Sequence, residues 1–141
     1  MKLSHLTDTV AVAGQLWDAD LADLQRQGYA AVINNRPDGE IPGQPTAAHL
    51  RAVAQRHGLA YWHIPVVGGQ IGPADIASFQ QAQADASGAV AAFCRSGQRS
   101  AVLWALAEAP ARGPGEVMAR AAAAGYDLTA VRDRLAAVQA N

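Results

Sequence analysis

Residues 89–100 read AVAAFCRSGQRS, and this stretch decides what the rest of the chain has to be. Residues 89–93 (AVAAF) follow the turn residues Ser87 and Gly88 and form a short apolar run of strand length, which predicts a buried strand. The run Cys94-Arg95-Ser96-Gly97-Gln98-Arg99-Ser100 then supplies a glycine that lets the backbone curl, and a helix is predicted over residues 99–109. A strand, a curl and a helix in that order make an anion cradle. Successive backbone N–H groups converge on one point and the helix N-terminus adds partial positive charge there. In sheets of parallel strands, such cradles lie at the carboxyl edge.

Working outward, the remaining segments alternate in the same way. Residues 9–13 (TVAVA) are β-branched and alternating, and they stop at Gly14 as a strand entering a turn does. Residues 18–27 start with cap-competent aspartates and end at Gly28, which predicts a helix; residues 29–34 (YAAVIN) predict a buried strand. Residues 35–45 (NRPDGEIPGQP) are a loop of turn residues. Thr46 caps a helix running to about His57, residues 59–65 (LAYWHIP) predict the third strand, and Pro73 opens a helix to about Ala86. Beyond the cradle the chain reads as helical, over residues 115–124 and, capped by Asp127, 128–139. Strands alternating with helices predict an α/β fold with a mostly parallel central sheet of about four strands flanked by helices. The expectation is one domain over residues 1–141, with a helical C-terminal part from about residue 113.

Composition excludes several classes. The chain has 141 residues, 50% hydrophobic and 16% charged, with one cysteine and a formal net charge of −1. A chain of this length buries roughly two thirds of its unfolded surface and needs no disulfide or structural metal to fold. A single thiol removes disulfide scaffolds, zinc fingers and dithiol redox chemistry, and no metal or cofactor is expected. Without a basic cluster, nucleic acid is not an expected partner. No 18-residue apolar run or secretory pattern is present, so neither a membrane span nor export is expected. The expected setting is the cytoplasm, where a lone thiol stays reduced.

A cysteine at the end of an apolar strand is ordinarily a small buried hydrophobe. Two arginines, a glycine and a serine directly after it are poor company for a core residue. The helix N-terminus and the neighbouring Arg95 and Arg99 favour the thiolate over the thiol at Cys94, and a thiolate in an anion cradle is a nucleophile for phosphoryl or sulfane sulfur centres.

The loop CRSGQRS resembles those of rhodanese-like sulfurtransferases and of cysteine-dependent tyrosine and dual-specificity phosphatases. VAGQ at 12–15, VINNRPDGE at 32–40, PGQP at 42–45, WHIPV at 62–66 and CRSGQRSAVLWAL at 94–106 narrow this further. In that order they resemble a bacterial family, the phosphatase-like domain of beta-lactamase hydrolase-like proteins (DUF442), whose members are also described as sulfur transferases. The resemblance implies the compact fold of dual-specificity phosphatases. It brings no dinuclear metal site, because the histidine motif of metallo-beta-lactamases is missing from the sequence.

Two departures from the phosphatase pattern bear on the chemistry. Four residues separate Cys94 from Arg99, one fewer than in tyrosine phosphatases, and a smaller ring suits a terminal sulfur better than a tetrahedral phosphoryl group. The proton-donating aspartate of those enzymes belongs about three residues after Pro65, where Gly68 stands; the nearest acid, Asp75, falls in the first turn of the next helix, where capping accounts for it. Sulfur transfer needs no such acid. The expectation is therefore a sulfane-sulfur transferase forming a Cys94 persulfide. Arg99, Arg95, Ser96, Gly97, Gln98 and Ser100 would bind a small anionic donor such as thiosulfate or a persulfide, and a thiol or cyanide would accept the sulfur. The alternative is a phosphatase acting on a phosphorylated substrate through a Cys94 phosphocysteine. A third reading is a non-catalytic anion-binding module, favoured if Cys94 is buried and inert.

Asp38 and Glu40 sit in the loop at the same sheet edge and are candidate acids, although Pro37-Asp38-Gly39 also reads as a plain turn. Arg36 is a further anion contact or their partner, and Asn34 and Asn35 are candidates for shaping the cysteine loop. Ser100 could donate to the Cys94 thiolate or cap its helix. His63 reads as a core residue or a support beneath the loop, His5 as part of a mobile terminus, and Trp17, Trp62 and Trp104 as core or cleft residues.

Overall fold

A computed structural model describes residues 1–140. Its strands are β1 (Ser4–His5), β2 (Val10–Ala13), β3 (Ala31–Asn34), β4 (Ala60–His63) and β5 (Val90–Phe93). The helices are α1 (Asp18–Arg26), α2 (Ala47–Arg56), α3 (Pro73–Asp85), α4 (Gln98–Arg112), α5 (Pro114–Ala123) and α6 (Arg132–Ala140), the last entered through a 3-10 turn at Thr129–Val131.

The strand order is β1-β2-β5-β3-β4, with β5 at the centre and all pairings parallel except that of β1 with β2. All four residues of β5, like those of β2 and β3, are buried, as befits strands covered on both faces. Alternation divides them. Val12, Ile33 and Ala92 face a core shared with Phe79 of α3, Trp104 of α4, Val117 of α5 and Leu135 of α6. Ala13, Val32 and Ala91 face the other side, with Leu21 and Leu24 of α1 and Leu50 and Val53 of α2. The register carries the functional consequence: Ala13 and Asn34 both stand opposite Phe93, and Asn34 opposite His63. Four chain segments therefore leave the sheet at one edge, level with Cys94.

The sheet has five strands rather than about four. β1 is two residues long and pairs antiparallel at the edge, too short to show as a pattern, and it holds His5, which was expected in a mobile terminus. Helix α4 continues through Pro110, past its expected end at residue 109, because a proline in the last turn forfeits one backbone bond while Gly113, at φ +88°, ends the helix. The segment expected as one helix over 128–139 begins instead as the 3-10 turn, where Asp127 accepts from the Thr129 amide and hydroxyl.

Candidate active site

The cradle is built from glycines outward. Gly97 has φ +96°, a conformation side chains oppose, and its N–H donates to Cys94 Sγ at 3.1 Å. Gly14, just past β2, allows close approach: a Cβ there would lie 3.0 Å from the Arg95 carbonyl, which accepts from the Gln15 amide. Helix α4 starts at Gln98, so its N-terminus meets the curl. Cys94 itself has no exposed surface.

Arg99 stands over this loop with its fork engaged. Nη1 and Nη2 donate to the two Glu40 carboxylate oxygens, each at 2.8 Å, and Nη1 also donates to the Val66 carbonyl at 3.0 Å. Glu40 takes a further hydrogen bond from Arg36 Nε at 2.8 Å. The Arg99 hydrogen bond, reinforced by Arg36 and opposed by partial burial, holds the Glu40 carboxyl at about 2. In return the Glu40 hydrogen bond raises the Arg99 guanidinium above its ordinary value, opposed by partial burial.

Arg36 is 2% exposed, and its backbone N–H donates to Asn34 Oδ1. Its Nη1 donates to Gln15 Oε1 at 2.9 Å, and its carbonyl accepts from His63 Nε2, so the residue spans the loops after β2 and β3 and the end of β4. Asn35, also buried, joins three elements: its amide donates to the Phe93 carbonyl, its Nδ2 to the Ile64 carbonyl, and its Oδ1 accepts from Ser100 Oγ at 2.8 Å.

Several expectations are corrected. The Ser100 hydroxyl serves Asn35 rather than the Cys94 thiolate, because it is buried toward the end of β3. Neither acidic candidate is placed as a proton donor. Asp38 accepts from the Ala47 amide at the start of α2, and Glu40 is an ion-paired carboxylate. The Gln98 side chain turns away to the Asp127 carbonyl, and its backbone N–H donates to Ser96 Oγ at 3.4 Å. Arg95 and Ser96 are exposed. Asp75 accepts from the Gly72 amide, a cap for α3. His63 supports the Arg36 loop. Of the tryptophans, Trp104 is core, Trp62 is half-buried and Trp17 is 53% exposed at the end of the loop after β2.

Sequence reasoning did not single out Gln15, the Val66 carbonyl or Tyr126, whose hydroxyl donates to the Ser96 carbonyl. Gln15 could have been found, since it follows a strand ending in glycine at the same edge as Cys94; the others carry no local signal. Among the described residues, no three His, Cys, Asp or Glu side chains are grouped to hold a metal, and no helix is long and apolar enough to cross a membrane.

Comparison with known proteins shows the family and the fold. The family model described as beta-lactamase hydrolase-like protein, phosphatase-like domain, matches residues 2–111. Beta-lactamase hydrolase-like proteins of Xylella fastidiosa (strain Temecula1) and Agrobacterium fabrum are each 43% identical, over 108 and 109 residues, or 77% of this chain. The match spans 25% of the length of either relative. A candidate phosphatase from Neisseria meningitidis, known from its crystal structure, is 31% identical with a TM-score of 0.86, covering 98% of this chain and 99% of that one. Tk-PTP in its active form (TM-score 0.73, 15% identity, 97% and 95% covered) shares the fold. So does P. aeruginosa TpbA in complex with pTyr (TM-score 0.65, 17% identity, 99% and 90% covered).

Proposed function

This chain belongs to the phosphatase-like domain family of beta-lactamase hydrolase-like proteins, and from that premise we propose that it is a cysteine-dependent phosphoric monoester hydrolase. The observation that carries the reading is the Arg99 fork, which holds a two-oxygen anion, the Glu40 carboxylate, with two 2.8 Å hydrogen bonds above the Cys94 loop. A phosphoryl group offers an equivalent oxygen pair. On this reading the Cys94 thiolate attacks phosphorus, an S–P bond forms and the ester P–O bond breaks. The leaving oxygen takes its proton from water, since Asp38 caps α2 and Glu40, displaced from the Arg99 fork by the phosphoryl group, stays a carboxylate paired with Arg36. Water then attacks the phosphocysteine, releasing inorganic phosphate and the thiolate. The loop amides and the α4 N-terminus stabilise the charge that develops on the phosphoryl oxygens. Without a protein acid, substrates with good leaving groups are favoured, and aryl phosphates are the proposed class; the pTyr complex of TpbA supports that choice. Activity is proposed for this domain, in the cytoplasm, and its role within a longer protein is likewise a proposal.

A second reading, sulfane-sulfur transfer, is favoured by the four-residue spacing of Cys94 and Arg99 and by the same lack of a free acid. There the thiolate attacks the terminal sulfur of thiosulfate, sulfite leaves, and the Cys94 persulfide passes its sulfur to cyanide or a thiol. The two are separated by incubating wild type and Cys94→Ser with an aryl phosphate, and with thiosulfate plus cyanide, while following products and adduct mass. A phosphoryl adduct with phosphate release, both abolished by Cys94→Ser, is the expected result. A persulfide with thiocyanate and no phosphate release would overturn the hydrolase reading. No adduct from either donor would leave an anion-binding module, in keeping with the burial of Cys94.

A further inference from the structure

One peptide unit of the cradle is held at both ends. The Ser96 carbonyl accepts from Tyr126 Oη at 3.3 Å, and the Gly97 N–H of the same unit donates to Cys94 Sγ at 3.1 Å. None of the described peptide bonds is cis, and across a trans peptide the C=O and N–H point in opposite directions. Drawing the carbonyl toward Tyr126 therefore aims the N–H at the sulfur. With Gly97 on one side this plane is soft, because glycine tolerates either sign of φ. Its orientation has to be held from outside the loop.

Tyr126 is built to hold it. Gly125, at φ +98°, turns the chain after α5, and the Tyr126 amide donates back to the Ala121 carbonyl at 2.8 Å. The phenol then lies against Gly97 so closely that a Cβ there would stand 2.2 Å from the hydroxyl. A second tie, from Gln98 Nε2 to the Asp127 carbonyl at 3.0 Å, fastens the start of α4 to the same turn. Both anchors lie beyond residues 2–111, the span of the family model.

We propose that Tyr126 is a positioning residue for Cys94, its hydroxyl fixing the Ser96–Gly97 peptide with the N–H on the sulfur and so favouring the thiolate. The proposal rests on Cys94 being the nucleophile, but its first readout needs no substrate. Arg99 is a charged side chain close to Cys94, and Glu40 is paired with it. Tyr126→Phe leaves both in place and removes only a hydroxyl.

Because the chain has one cysteine, thiolate absorbance in the ultraviolet reports Cys94 alone, with the Cys94→Ser form of each background as blank. Tyr126→Phe is expected to move the titration midpoint up by about half a unit, roughly a threefold loss of thiolate on its acid side, with an unchanged melting temperature. Tyr126→Ala is expected to move it at least as far; should that variant not fold, Tyr126→Phe decides alone. Coincident titrations overturn the proposal, and so does a lowered melting temperature with an unmoved titration, which would make Tyr126 structural only. Turnover of an aryl phosphate measured alongside keeps the two readings apart. A shifted titration in a protein that releases no phosphate sustains the role of Tyr126 and fails the hydrolase.

Discussion

At the scale of single residues, Glu40 holds together what would otherwise repel. Two guanidiniums, one of them buried, share its carboxylate, and removing it leaves Arg36 with its charge uncompensated. Glu40→Gln is therefore expected to destabilise the protein by about 2 kcal/mol at neutral pH, below the range for a fully buried pair because Glu40 is 29% exposed. The pH dependence has a definite sign. The Glu40 carboxyl titrates at about 2 when folded against 4.5 ordinarily, so its contribution is full above about 4.5 and is lost as pH falls toward about 2. Urea denaturation across that window is expected to show a shallower acid decline for Glu40→Gln than for wild type. Parallel acid limbs would show that the ion pairs contribute nothing measurable.

At the scale of elements, the loop after β3 is fixed at both ends by side chains that also start α2. Thr46 Oγ1 accepts from the His49 amide at 3.1 Å, and Asp38 Oδ1 accepts from the Ala47 amide at 2.8 Å. These two bonds satisfy donors that a helix N-terminus leaves open, and they tether the loop that carries Glu40. Thr46→Ala is expected to cost about 1 kcal/mol in chemical denaturation while leaving the Arg99–Glu40 pair formed. Unchanged stability would mean that Asp38 or water replaces the cap. The cradle is likewise an assembly of elements: β5 delivers Cys94, β2 delivers Gly14, α4 brings Arg99 and the turn after α5 brings Tyr126.

At the scale of the molecule, α5 and α6 complete a core as well as support a loop. Val117, Ala121, Leu128 and Leu135 are buried against the face of α4 that carries Leu103 and Leu106. We read residues 1–141 as one cooperative domain on that basis. Ending the chain after Gly113 is expected to expose this apolar face and abolish a cooperative thermal transition, measured by circular dichroism. A truncated chain melting like the full one would place the C-terminal helices outside the folding unit.

Much of this was legible locally. The strand run at 89–93, the curl at Gly97 and the helix after it depend on short-range sterics and periodicity, so β5, the cradle and the parallel class could be read directly, as could the Thr46 cap. Two-residue β1 could not, because so short an edge strand is defined only by its partner. The roles at the site divide the same way. That Cys94, Arg99 and Glu40 share one sheet edge follows from strand order and loop position. That Glu40 bridges Arg36 and Arg99, that Ser100 answers Asn35, and that Tyr126 reaches back to Ser96 depends on which side chains meet across 59, 65 and 30 residues of chain. Local chemistry determines where a nucleophile can stand; only the packing of distant segments determines which hydrogen bonds surround it, because a hydrogen-bonding group takes whichever partner the fold brings within reach.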